Sequence, residues 1–170
     1  MSVTIRPERP GDEAAIRALT AAAFHEHPHS DGSEPGIIDA LRAAGDLTLS
    51  LVAVNMDQAV IGHVAFSPVT ISDGATGWYG LGPVSVMPTL QRTGIGTMLI
   101  RQGLSDLRTG GARGCVLLGD PAYYCRFGFA HDPALTYPGG PAEFFQRLVF
   151  EGRQPSGLVC YSPAFGAGSG

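Results

Sequence analysis

The chain has 170 residues, 44% of them hydrophobic and 15% charged, which suits a folded domain with a core of its own rather than a disordered segment. Its net charge of −4 lacks the basic excess of a phosphate-binding surface, so nucleic acid is not an expected partner. All eleven basic residues are arginines, and the lack of lysine excludes a Walker-type phosphate loop and chemistry that needs a side-chain amine for a Schiff base.

Val3–Arg6 alternates like a short strand and stops at Pro7. Asp12 has the look of a helix cap, and Ile16, Leu19, Ala23 and Phe24 recur at helical spacing behind it. His25–Ser33 reads as a polar loop. Glu34-Pro35 opens a second helix whose Ile37, Ile38 and Leu41 share a face, closed at Ala44-Gly45. From Leu47 the period drops to two. A strand to Val54, a turn at Asn55–Gln58 and a returning strand from Ala59 to Ile71 make a hairpin. A third consecutive strand runs from about Trp78 to Val86, with Gly80, Gly82 and Pro83 marking a bulge or a close backbone approach.

Gly94 to about Leu107 reads as an amphipathic helix with Ile95, Met98, Leu99 and Leu104 inward, stopped by Gly110-Gly111. Cys115–Leu118 is a short buried strand. Asp120-Pro121 pairs an N-cap with proline at the first helical position and begins a short helix through Tyr123 and Tyr124. Phe144–Phe150 and Gly157–Tyr161 are the last strands expected. The order implies a single α/β domain over residues 1–165, with a mixed central sheet of about six to seven strands, helices on both faces, and residues 166–170 as a flexible tail.

Cys115, Cys125 and Cys160 have no metal-ligand spacing and are expected as reduced thiols in a cytoplasmic protein. No apolar run reaches the roughly 18 residues of a membrane span, and Arg6 and Arg9 are followed by no apolar stretch of the signal-peptide kind, so no membrane partner is expected. His25, His27 and His29 alternate, but nothing fixes them as ligands, and no metal is expected.

The informative segment is Val84-Ser85-Val86-Met87-Pro88-Thr89-Leu90-Gln91-Arg92-Thr93-Gly94-Ile95-Gly96-Thr97, a strand running through a short loop into a helix. A helix start leaves backbone N–H groups unpaired and slightly positive, so it binds anions without a basic side chain. Gly94 and Gly96 would let a phosphate approach those amides, with Arg92, Thr93 and Thr97 able to add donors. The plain alternative is a glycine-rich strand–helix connection.

Gln91-Arg92-Thr93-Gly94-Ile95-Gly96 resembles the Q/R-x-x-G-x-G/A signature of GNAT acetyltransferases, and the apolar VSVMP ahead of it is similar to their central strand. Tyr124-Cys125-Arg126-Phe127-Gly128-Phe129 resembles the Tyr-x-x-x-Gly-Phe that follows the next strand in that family. GDPAYYCRFGF and YSPAF look like a branch of predicted acetyltransferases within it. The resemblance implies the GNAT fold and acetyl-CoA as cosubstrate. It implies backbone pairing of Val84, Ser85 and Val86 with the pantetheine arm, and a pyrophosphate held by the amides from Gln91 through Ile95 and Gly96 to Thr97.

Tyr124, at the family position, is the expected general acid for the leaving thiolate, against a purely packed aromatic. The base is open among Glu34, which a first-turn carboxylate role would also explain, His63, which a structural strand histidine would explain, Asp120, which a helix cap would explain, and a water chain. Cys125 has no sequence-paired histidine and is read as a packed thiol. The expected reaction is acetyl transfer from acetyl-CoA to a primary amine, on a small molecule or a peptide, by direct attack. The alternative is a non-catalytic acyl-CoA-binding or sensor module. A homodimer is an expectation from the family alone.

Overall fold

The computed structural model describes residues 2–25, 27 and 30–166. The chain divides into two compact units: residues up to Phe66 with Gly82–Leu104 and the segment from Pro163 form one, and Ser67–Leu81 with Ser105–Ser162 form the other. The class is mixed α/β. Its sheet has nine strands among the described residues, two more than the longest count expected, because two of them are only two residues long.

The first unit begins with β1 (Thr4–Pro7), α1 (Glu13–Phe24), α2 (Glu34–Ala44) and β2 (Leu49–Val54). It also takes in the start of β3 (Val60–Ile71), the end of β4 (Trp78–Val86) and the start of α3 (Ile95–Thr109). Here the strands are ordered β1-β2-β3-β4. β1 and β2 are antiparallel with Ile5 opposite Ala53, and β2 and β3 are antiparallel with Val52 opposite His63. The double-sided apolar pattern of β2 is explained by burial of Leu51 through Val54, all at 1% exposure or less. Ile16 of α1, Ile38 of α2, Val52 and Val54 form one apolar cluster, and Ile37, Leu41, Ala164 and Phe165 form another.

Helix α2 ends where its glycine stop was expected. Gly45 adopts φ 76° and its N–H donates to the carbonyls of the last turn. Asp12 is a correction. It stands at the N-cap of α1 without a side-chain cap, because its carboxylate accepts instead from Arg6 Nη1 at 2.7 Å and the Arg9 N–H at 2.8 Å. Met98 is a second correction: it is 43% exposed, whereas Ile95, Leu99, Ile100, Leu104 and Leu107 are buried. Gly103 lets α3 approach β3, since a Cβ there would lie 2.2 Å from Phe66 Cε1.

The second unit holds the start of β4, β5 (Gly114–Leu118), α4 (Pro121–Tyr124), β6 (Ala130–His131), β7 (Leu135–Thr136), β8 (Phe145–Val149) and β9 (Gly157–Tyr161). β4 and β5 are parallel over three pairs, from Trp78–Gly114 to Gly80–Val116. β5 is antiparallel to β8, and β8 to β6; β9 lies antiparallel along the end of β3 and parallel to β7. Val69, Ile71, Trp78, Val116, Leu135, Phe145 and Val159 are its core. Gly166, read from sequence as the start of a loose tail, closes a 3-10 helix from Pro163; residues 167–170 lie outside the described residues.

Candidate active site

β4 ends at Val86, and a 3-10 turn, Pro88–Leu90, follows it. Ser85 is buried while Val84 and Val86 are half-buried. Gln91 Nε2 donates to the Val86 carbonyl at 3.2 Å, and Thr93 Oγ1 to the Leu90 carbonyl at 2.5 Å, so both side chains brace the turn. Arg92 (φ 65°) and Gly94 (φ 96°) are left-handed. Alternation of this kind turns successive amides to one side and makes a concavity for anions. The first backbone bond of α3 runs from Met98 N–H to the Gly94 carbonyl at 3.0 Å, so the amides of Ile95 and Gly96 precede the i→i−4 ladder. No non-neighbouring atom lies within 4 Å of the place a Gly94 Cβ would take, and Arg92 and Thr93 are exposed beside it. Gly96 and Thr97 are half-buried and Ile95 is buried.

Tyr124 closes α4. Asp120 caps this short helix through its carboxylate, which accepts from the Ala122 N–H at 2.9 Å, and its carbonyl accepts from the Tyr123 and Tyr124 amides. The Tyr124 ring meets Tyr123 edge-on at 4.9 Å between centroids and Phe129 at 6.2 Å. Burial, with smaller contributions from Tyr123, Asp120 and Cys115, pushes its phenol up to about 12, so the hydroxyl stays protonated throughout the neutral range. Tyr123 lies under the Arg126 guanidinium at 4.2 Å. Cys125 is an exposed free thiol 3.5 Å from the Ala122 carbonyl, Cys160 is exposed and free, and Cys115 is buried.

Glu34 lines a cleft of about 430 Å³ together with Phe24, His25, Ser30, Asp31 and Pro35. Ser30 Oγ donates to Glu34 Oε1 at 2.6 Å. The end of α1, the loop and the first turn of α2 bring these residues together, and of them the sequence marks only Glu34 as a candidate for the reaction. His29 lies outside the described residues, and among the described residues no three metal-ligating side chains converge.

His63 is fully buried. Ser50 donates its hydroxyl hydrogen to Glu8 Oε1 at 2.7 Å, so its oxygen receives the His63 Nε2–H at 2.8 Å, which assigns the tautomer and leaves Nδ1 as an acceptor. Glu8 is held in turn by a two-point ion pair with Arg42 at 2.8 and 3.0 Å. Despite burial, which acts against it, the bonds from Arg42 and Ser50 keep the Glu8 carboxyl below its ordinary range. Burial lowers His63 to about 4, with Glu8 opposing and Arg42 assisting. Sequence reading missed this network; a serine and a histidine within two apolar strands were the available signal.

Residues 4–131 match the sequence profile described as an acetyltransferase (GNAT) domain. The chain belongs to the GNAT acetyltransferase family. Over 167 residues this GNAT chain is 39% identical to YhbS, an uncharacterized N-acetyltransferase of Escherichia coli K12, covering 95% of this chain and 97% of the relative. A GNAT family acetyltransferase from Brucella melitensis, crystallised in complex with acetyl-CoA, is 53% identical with a TM-score of 0.86; the match covers 96% of this GNAT chain and 98% of that one. The crystal structure of YhbS from Escherichia coli in complex with CoA superposes with a TM-score of 0.88 at 34% identity, covering 96% and 91% of the two chains. No helix among the described residues is long and apolar enough to cross a membrane.

Proposed function

We propose that this chain transfers the acetyl group of acetyl-CoA to a primary amine by direct attack. The observation that carries the reading is the start of α3, where left-handed Arg92 and Gly94 lead into amides that precede the helical ladder. Such a start offers several N–H donors and a partial positive charge to a diphosphate. Support comes from the Brucella melitensis relative, which was crystallised with acetyl-CoA. In this reading the amides from Arg92 to Thr97 hold the pyrophosphate, with the Arg92 side chain beside them, while the Gln91 N–H, expected among the donors, is directed at the Pro88 carbonyl at 3.5 Å. The backbone of Val84–Val86 pairs with the pantetheine arm as an added strand.

Acetyl-CoA supplies an activated thioester; the protein's part is to bind it, present the amine and move two protons. Tyr124 is assigned as the donor to the departing thiolate. Its phenol is always protonated at working pH, and a thiolate displaced in a dry site is more basic than in water. The cleft beside Glu34 is assigned to the acceptor. Asp31 and Glu34 line it and no arginine does among its described residues, which favours a cationic amine carried on a small molecule or a peptide. Glu34, directly or through water, then takes up the amine proton. His63, enclosed and tied to Ser50, is read as an anchor rather than as the base.

Calorimetry with CoA, followed by a thiol-release assay across a panel of amines, tests this. Saturable CoA binding together with amine-dependent thiol release is the expected result. Binding without release for any amine would favour a non-catalytic acyl-CoA module, and no binding would overturn the reading altogether.

A further inference from the structure

The run Phe144-Phe145-Gln146-Arg147-Leu148-Val149-Phe150 is apolar except at Gln146 and Arg147. Gln146 is only 1% exposed, and of its buried carboxamide the nitrogen alone is met, since Oε1 has no hydrogen-bond partner among the described residues. A polar group is buried at such a cost where its remaining bonds hold something in place. Its Nε2 donates to the carbonyl of Gly119 at 3.0 Å and to that of Phe144 at 3.4 Å. Two carbonyls on one nitrogen settle which end of the amide faces them. These are the residues at which the β5–β8 ladder runs out: its last pair is Leu118 with Phe145, and the Gly119 N–H still donates to the Phe144 carbonyl at 2.9 Å. Gln146 therefore extends the ladder past its end and clamps the peptide that leads out of β5.

That peptide matters for Tyr124. A Cβ on Gly119 would lie 2.5 Å from Tyr124 Cε2, so the ring takes the space that a side chain would need. Glycine here is demanded by the ring, yet glycine is the residue least able to hold a backbone direction by itself. The next residue, Asp120, receives the Tyr123 and Tyr124 amides on its carbonyl. Helix α4 has only four residues, too few to be stable alone, so its direction is inherited from what precedes it. We propose that Gln146 is a positioning residue for Tyr124, acting through the Gly119 carbonyl without touching the reacting atoms. This rests on the reading of Tyr124 as the proton donor.

The test uses the full chain and an amine accepted in the release assay. Gln146→Leu keeps the bulk and removes both donors. Turnover is expected to fall roughly 10- to 100-fold, the scale of a small misplacement of a reacting group, with CoA affinity by calorimetry unchanged within about twofold. Because Gln146 is argued to work through Tyr124, the double variant Gln146→Leu/Tyr124→Phe should be no slower than Tyr124→Phe alone. Multiplying losses would overturn the proposal.

If Tyr124→Phe keeps full turnover, the donor reading fails by itself. Positioning is then judged on carbon-13-labelled tyrosine, where Gln146→Leu should shift or broaden the Tyr124 ring signals more than those of Tyr79. Unmoved Tyr124 signals would overturn it. Should the leucine variant not fold, Gln146→Glu takes its place. A protonated carboxyl can donate to the Gly119 carbonyl and an ionised one cannot, so its turnover relative to the parent should drop as pH rises; a flat ratio would count against the clamp.

Discussion

The proton-donor role proposed for Tyr124 rests on its surroundings. A phenol free in water would share its hydrogen with the solvent, whereas this one packs among Tyr123, Phe127 and Phe129 and is pushed up to about 12. Tyr124→Phe removes one oxygen and leaves the ring packing in place. Turnover should drop by about 100-fold or more, the usual contribution of a placed acid, while CoA binding measured by calorimetry stays near the parent value. Full activity in the phenylalanine variant would remove Tyr124 from the mechanism. His63 gives a prediction of a different kind. Its folded value of about 4 lies below the ordinary 6.5, so between those two pH values the unfolded chain binds the extra proton. The stabilisation is complete above about pH 6.5 and is lost as pH falls toward 4, a change on the order of 3 kcal/mol for a group this enclosed. Urea unfolding across that window should show the slope, and His63→Gln should flatten it.

At the scale of elements, the junction of β4 with α3 depends on backbone shape more than on side chains. Space is not what keeps Gly94 a glycine, since no non-neighbouring atom lies within 4 Å of its missing Cβ; its φ of 96° is. A β-branched residue there adds on the order of 1–3 kcal/mol of backbone strain. Gly94→Val should therefore weaken CoA binding about tenfold or more with the circular dichroism of the fold retained, and Gly94→Ala should fall between. Unaltered affinity in the valine variant would mean that the diphosphate is held elsewhere.

This junction could be read from sequence because glycine and helix-start chemistry are local. Helix α2 was readable for the same reason, from Ile37, Ile38 and Leu41 on one face and Gly45 at the stop. The inward face of α3 was misjudged at Met98. The buried face is centred nearer Leu99 and Ile100, and only packing decides where that centre falls. Strands β6 and β7 are too short to show a period of two, and long-range pairing with β8 and β9 creates them. The cleft at Glu34 and the clamp at Gln146 join residues distant in sequence or set in loops. Neither had a local signature beyond a polar residue in an unexpected place.

For the molecule as a whole, a ligand that binds the folded chain and not the unfolded one must stabilise it by mass action. CoA at about 100 times its dissociation constant should add about 2.7 kcal/mol, which for a chain of 170 residues raises the melting temperature by several degrees. A melting curve indifferent to CoA would contradict the proposed cosubstrate. The way the chain shares itself between its two units has a further consequence. Ala164 and Phe165 cover the same face of α2 as Ile37 and Leu41, so that face stays bare during synthesis until residues far downstream have left the ribosome. Each unit is also interrupted in sequence by the other. No single cut releases either one whole, and attempts to express half of this protein should yield insoluble fragments rather than a minimal working piece.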